Sequence, residues 1–215
     1  MITINYYSDL EVSLPISEIA DRLEKRGNVF VPIGIVNWQE FTYKPECVFR
    51  IAQLRDGLFL HFKVKELDIR TEVMVDNGPV YTDSCVEFFI DPSGDGTYYN
   101  FEWNSNGVLL LGFGNSRINR EMAGSEVMSG VFRSPVKNMH ADYNNERKEW
   151  ELLVTIPFTA FFRHTVTSLT SKIAKGNFYK CGDKTKRPHY LTWNPINTLK
   201  PDFHRPEYFG DLFFE

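Results

Sequence analysis

Two runs that alternate with period two constrain this chain more than anything else in it. Ser84-Cys85-Val86-Glu87-Phe88-Phe89-Ile90-Asp91 and Thr97-Tyr98-Tyr99-Asn100-Phe101-Glu102-Trp103-Asn104 flank Pro92-Ser93-Gly94-Asp95-Gly96. Proline and glycines in that connection make it a polar turn between paired strands. Setting Asp91 opposite Tyr98 places Phe89 opposite Asn100, Glu87 opposite Glu102 and Cys85 opposite Asn104 on one side of the sheet. Val86, Phe88, Ile90, Tyr99, Phe101 and Trp103 share the other side, which is a core face. On the first side two acids repel each other unless a cation or a hydrogen-bonding group stands between them. That polar face is the candidate site.

The rest of the chain reads mostly as strands. Leu58, Leu60, Phe62 and Val64 alternate with mostly polar residues after the Asp56-Gly57 turn, and the run Cys47 to Leu54 precedes it. Further strands are expected at Val108 to Phe113, Glu149 to Ile156, Asn177 to Cys181, Tyr190 to Trp193 and Tyr208 to Phe214. One amphipathic helix is expected near the N-terminus, from Glu18 to Arg26, with Ser17 as its N-cap and Gly27 as its stop. The stretch from Ser116 to Asn145 is irregular and reads as an excursion between strands. The 32 aromatics implied by 18 Phe, 10 Tyr and 4 Trp among 215 residues agree with a sheet-rich fold. The expectation is a single all-β domain over residues 1–215, a two-sheet antiparallel sandwich with one short helix.

Charge and composition exclude several functions. With 28 acids against 24 bases and a net charge of −4, the chain offers no broad positive field for a phosphate backbone, so nucleic acid is not an expected partner. No apolar run is long enough to span a bilayer as a helix, so no membrane partner is expected. The first residues carry neither a basic head nor an apolar stretch, which points to the cytoplasm, or to the periplasm or exterior if a leader was removed. Cys47, Cys85 and Cys181 are too few and too scattered for a disulfide framework or a structural zinc site, and read as reduced thiols. His61, His140, His164, His189 and His204 form no pair at metal-ligand spacing. Phosphate-loop, dinucleotide and Gly-x-Ser-x-Gly signatures are absent from the sequence. No cofactor is expected. Asp91, Ser93, Asp95, Gly96 and Glu102 approximate an EF-hand spacing, but strands rather than helices flank them, so calcium there is kept only as a minor alternative.

Several readings of the polar face stand side by side. The acids can be solvated, or paired with Arg50, Lys63, Arg117 or Arg133. They can bind sugar, since carboxylates and amides bond adjacent hydroxyls and aromatic rings cover a pyranose face. Directly opposed, Glu87 and Glu102 could also approach the roughly 5 Å separation of a retaining glycosidase. A protein-interaction module using the 116–145 excursion is a further alternative.

Two segments resemble the family 9 carbohydrate-binding modules, which occur attached to xylanases. Val80-Tyr81-Thr82-Asp83-Ser84-Cys85-Val86-Glu87-Phe88-Phe89-Ile90-Asp91 is similar to that family's aromatic, Asp-Ser-x-Val-Glu-x-Phe-x-Asp strand. Tyr190-Leu191-Thr192-Trp193-Asn194-Pro195, with the run Pro201 to Phe214, resembles the ending of its stand-alone branch. The order of motifs extends from about Val48 onward. The resemblance implies a sandwich in which two aromatics clamp the terminal sugar of a xylan- or glucan-type saccharide, in carbohydrate catabolism. It places Tyr81 and Trp193 at the clamp positions, matches Glu87 to a family glutamate and matches Asn104 to a sugar-contacting asparagine. Glu102 stands where the family carries arginine, which exchanges a donor for an acceptor. Arg117, Lys180 or Arg133 would then be needed to offset the paired acids.

Overall fold

A computed structural model describes residues 1–138 and 148–215. His140 and the later part of the 116–145 excursion lie outside the described residues. In chain order the elements are β1 (Ile2–Ile4), β2 (Tyr6–Tyr7), α1 (Ile16–Lys25), β3 (Val31–Pro32), β4 (Ile35–Val36), β5 (Glu46–Leu54), β6 (Gly57–Glu66), β7 (Cys85–Asp91), β8 (Tyr98–Asn104), β9 (Leu109–Gly114), β10 (Glu121–Met122), α2 (Ser125–Gly130), β11 (Phe132–Asn138), β12 (Lys148–Pro157), β13 (Ile173–Cys181), β14 (Tyr190–Thr192) and β15 (Gly210–Phe214).

Among the described residues the strands form two sheets packed face to face. One runs β1-β15-β13-β7-β8-β9-β10, with β14 and β4 attached beside β13; the other runs β11-β12-β6-β5-β2, with β3 also on β5. Both are mixed rather than purely antiparallel, because β1 lies parallel to β15 and β2 parallel to β5. These two short pairs arise where the N-terminal segment passes from one sheet to the other. The sandwich fold is therefore as expected, with a second helix, α2, inside the excursion.

The central hairpin has the register its alternation predicts: Phe89 opposes Asn100, Glu87 opposes Glu102 and Cys85 opposes Asn104. Its inward face supplies Val86, Phe88, Ile90, Tyr99, Phe101 and Trp103 to the main core, where they meet Phe49, Phe62, Leu60 and Trp150 of the opposite sheet. Helix α1 covers the far side of that opposite sheet, seating Ile16, Ile19, Ala20 and Leu23 on Ala52, Leu54, Phe59 and Leu153. Gly27 stops the chain's helical course in the left-handed region, with φ +73°. Ser17 is not the N-cap. The helix begins two residues earlier than expected, at Ile16 after Pro15, and no side chain caps it; the proline ring sets φ at −51° and holds the entry, leaving Ser17 in the first turn.

The hairpin connection is organised by Asp91. Its carboxylate accepts backbone N–H bonds from Ser93 (3.1 Å), Gly94 (2.6 Å) and Gly96 (2.9 Å). Gly94 and Gly96 adopt φ of +74° and +86°, which glycine reaches without strain. Asp91→Ala removes the buried acceptor that gathers these three amides at an exposed turn, and is expected to destabilise the fold by on the order of 1 kcal/mol. Urea midpoints check this, and Asp91→Asn should retain part of the stability.

Candidate functional site

The outer face of the larger sheet is covered in two ways. Trp38, Ile196, Phe203 and Phe209 pack over Phe89, Tyr98 and Tyr179 as a second core. Beside this cover a cleft of about 380 Å³ remains open. Strand alternation decides its floor, because Glu87 on β7, Asn100 and Glu102 on β8, and Cys181 on β13 all point outward here. Tyr81, Arg117, Arg120, Asp183, Tyr190 and Asp202 stand around them.

The floor is buried and short of cations. Glu102 accepts a hydrogen bond from Asn100 Nδ2 (2.7 Å), and Asn100 Oδ1 in turn accepts one from Arg120 Nε (2.7 Å). Gly112, opposite Asn100 on β9, makes this relay possible: a Cβ there would lie 2.6 Å from Asn100 Oδ1 and 3.0 Å from Arg120 Nε. Burial lifts the Glu102 carboxyl to about 7, against the pull of Asn100, Arg120 and Arg117. Glu87 is raised as well, first by burial and then by Cys181 and Glu102. Its hydrogen-bond partners are thiols, with Cys181 Sγ donating at 3.1 Å and Cys85 Sγ at 3.9 Å. Burial pushes the Cys85 thiol up to about 12 and that of Cys181 well above its ordinary value. Cys85, Glu87 and Cys181 are also the residues that could hold a metal ion among those described.

The walls are cationic and aromatic. Arg117 pairs with Asp202 at 2.8 Å. Arg120 lies 4.5 Å from the Tyr98 ring centre and donates to Ser116 O (2.7 Å) and Tyr98 O (3.2 Å). His204, beside them, is held neutral by burial and by these arginines, down to about 3. Burial raises Asp183, although a hydrogen bond with Tyr190 opposes the shift. Tyr81 is the central residue of a short 3-10 turn, Val80–Thr82, ahead of β7 and is 41% exposed.

The structure brings Tyr81, Glu87 and Glu102 together and leaves Asn104 and Trp193 outside the cleft. Asn104 is fully buried, donating to Val73 O (2.8 Å) and Asp83 Oδ2 (3.0 Å) while its Oδ1 accepts from the Asn106 and Val108 amides. Its polar atoms are spent on holding the turn. Trp193 packs against the main core instead, with its ring edge-on to Phe49 and Phe178. A Cβ on Gly210 would lie 2.6 Å from its Cζ3. The reason is parity: Tyr190 pairs with Cys181 on the cleft side, and Trp193, an odd number of residues on, faces inward. Of the cations expected to offset the acids, Arg117 lines the cleft. Lys180 lies within 2.8 Å of His189 Nε2 and 3.2 Å of Glu66, Arg133 pairs with Asp76, Arg50 with Glu24, and Lys63 with Glu151. Sequence reasoning missed Arg120, Asp183, Tyr190 and Asp202, and left Asn100 out of the site although the hairpin register already placed it there.

A family model described as carbohydrate-binding family 9 matches residues 18–214. A crystal structure from Bacteroides uniformis, of a protein proposed to bind carbohydrate, is 41% identical with a TM-score of 0.91, covering 100% of this chain and 98% of that one. Family 9 carbohydrate-binding modules from Caldicellulosiruptor kristjanssonii, solved with glucose and with cellotriose, share the fold at 11% identity. Their TM-scores are 0.61 and 0.59; each match covers 100% of this chain, with 95% and 93% of those chains. No curated protein matches the chain.

Two outcomes follow from this geometry. Glu102 has a folded value near 7 against an ordinary 4.5, so the folded state binds the extra proton. Its destabilising contribution is absent below the ordinary value, accumulates as pH rises from there to the folded value, and is fully present above it. Glu102→Gln should flatten the fall in melting temperature between those two values and gain on the order of 2 kcal/mol over the parent at alkaline pH. Trp193→Ala should lower stability by about 2–3 kcal/mol, read from denaturation curves, because it empties a packed site.

Proposed function

The chain belongs to carbohydrate-binding family 9, and from that premise we propose that it binds, without cleaving, the terminal sugar of a mono- or oligosaccharide in the cleft over β7, β8 and β13. The observation that carries this reading is a floor of carboxyl and amide groups enclosed by a rim bearing two tyrosines, Tyr81 and Tyr190. A pyranose presents hydroxyls at its edge and C–H groups on its faces. Glu87, Glu102 and Asn100 suit the edge, with Arg117 and Asp183 at the sides, and the tyrosine rings suit the faces. Tyr190 takes the part that the resemblance gives to Trp193. A volume of about 380 Å³ sits at the low end of the roughly 300–1,000 Å³ typical of small-molecule sites, which favours a chain end over a long polymer segment. Glucose and cellotriose bind the distant fold relatives, which supports a glucan-type ligand; the titration series includes xylo-oligosaccharides as the other candidate class.

The acid chemistry favours binding over hydrolysis. A retaining glycosidase keeps one carboxyl ionised as nucleophile and raises the other as acid. Here both Glu87 and Glu102 are raised by burial.

Calorimetric titration with xylo- and cello-oligosaccharides tests the proposal. Binding should weaken at least tenfold in Tyr81→Ala, whose half-exposed ring leaves the melting temperature close to the parent, and in Tyr190→Ala, whose packing on Phe41 and Trp38 lowers the melting temperature as well. Absence of heat with every saccharide at millimolar concentration overturns it. So does turnover of an aryl glycoside that disappears in Glu87→Gln.

A further inference from the structure

Beneath the cleft, three metal-ligating side chains converge. Cys85 on β7 and Cys181 on β13 oppose each other in register. Glu87, on the same face of β7, brings Oε1 to 3.1 Å from Cys181 Sγ and 3.9 Å from Cys85 Sγ. The three donor atoms lie within 4.8 Å of one another, and all three residues are buried. A tetrahedral zinc ion with its usual bond lengths spaces neighbouring sulfur and oxygen donors about 3.5–3.8 Å apart, so small side-chain rotations suffice to close on one.

From this convergence we infer that Cys85, Cys181 and Glu87 form a site for a thiophilic divalent cation of the zinc class, with a fourth position opening into the cleft. Two thiols and a carboxyl are the donor set that zinc accepts, whereas calcium and magnesium require oxygen ligands. Among the described residues no side-chain cation forms an ion pair with Glu87, and a carboxylate taken from water without a partner is strongly disfavoured. A bound divalent ion supplies that partner, and the two thiol protons, together with any proton held on the Glu87 carboxyl, leave to solvent as it binds. Both thiolates and the carboxylate together leave one surplus negative charge, which Arg117, within electrostatic reach of Glu87, partly offsets. Entry is through the cleft, since Glu87 and Cys181 line it while Cys85 lies behind them. Cys47 packs in the main core among Phe49, Phe62 and Val64 and serves as an internal control.

The test uses the full chain, stripped with a chelator and kept reduced by a phosphine. Cadmium is titrated while the ultraviolet thiolate-to-cadmium charge-transfer band is followed, and zinc is then competed against a chromophoric chelator. The expected result is one ion per chain, with the band lost in Cys85→Ser and Cys181→Ser, kept in Cys47→Ala, and affinity reduced at least tenfold in Glu87→Gln. No band in the reduced, folded parent protein overturns the inference, as does a band that survives Cys181→Ser. A Cys85–Cys181 disulfide found in cells lysed under alkylating conditions also overturns it. The probe is metal alone, so this outcome is independent of the saccharide titrations.

Discussion

Strand parity in the β7–β8 hairpin is the constraint on which the rest of this structure depends. Inward, Phe88 stacks on Phe178 with ring centres 4.7 Å apart, and Phe178 stacks on Phe49 of the facing sheet at 3.6 Å. Phe101 continues the row to Trp103 at 5.8 Å. A slip of one residue would drive Glu87 and Glu102 into this aromatic layer and expose Phe88 and Phe101, so the register is pinned by the core. The consequence appears on the other face. With the core fixing the backbone, two carboxyls must sit opposite each other whether or not the outer face suits them.

The outer face accommodates them by withholding charge. Glu102 has the amide of Asn100, Glu87 has two thiols, and burial raises both carboxyls. Arginines are present but used elsewhere, Arg117 on Asp202 and Arg120 on Asn100 and two carbonyls. The cleft thus combines raised acids at its base with guanidinium groups along its wall. Such a base offers both donors and acceptors, which an array of fully ionised carboxylates would not.

What could be read from the sequence follows the range of each interaction. The hairpin register, the glycine stop of α1 and the longer strands depend on neighbours in sequence, and they appear where the alternation put them. β2, β3, β4 and β10 are only two residues each and are defined by the partner they lie against. Nothing local marks them. The parallel placement of β1 beside β15 likewise joins the two ends of the chain. In the site, Glu87 and Glu102 were legible because they oppose each other across one turn. Arg120 was not, since its approach depends on the bare Cα of Gly112 one strand away. Trp193 was misplaced because matching an aromatic to a motif ignores strand parity, and parity gives the cleft to Tyr190.

Parity also recasts the substitution of Glu102 where the resembling family carries arginine. On the sequence alone the exchange removes a donor and adds repulsion. In the fold, Arg120 reaches the same neighbourhood from the β9–β10 loop, passing its hydrogen bond through Asn100 to Glu102. A carboxyl with a value near 7 is protonated in a substantial fraction of molecules at neutral pH, and in that form its hydroxyl donates. The donor is therefore displaced and shared between a guanidinium and a proton. That arrangement ties the hydrogen-bonding character of the cleft floor to pH, a dependence that a fixed arginine at position 102 would not introduce.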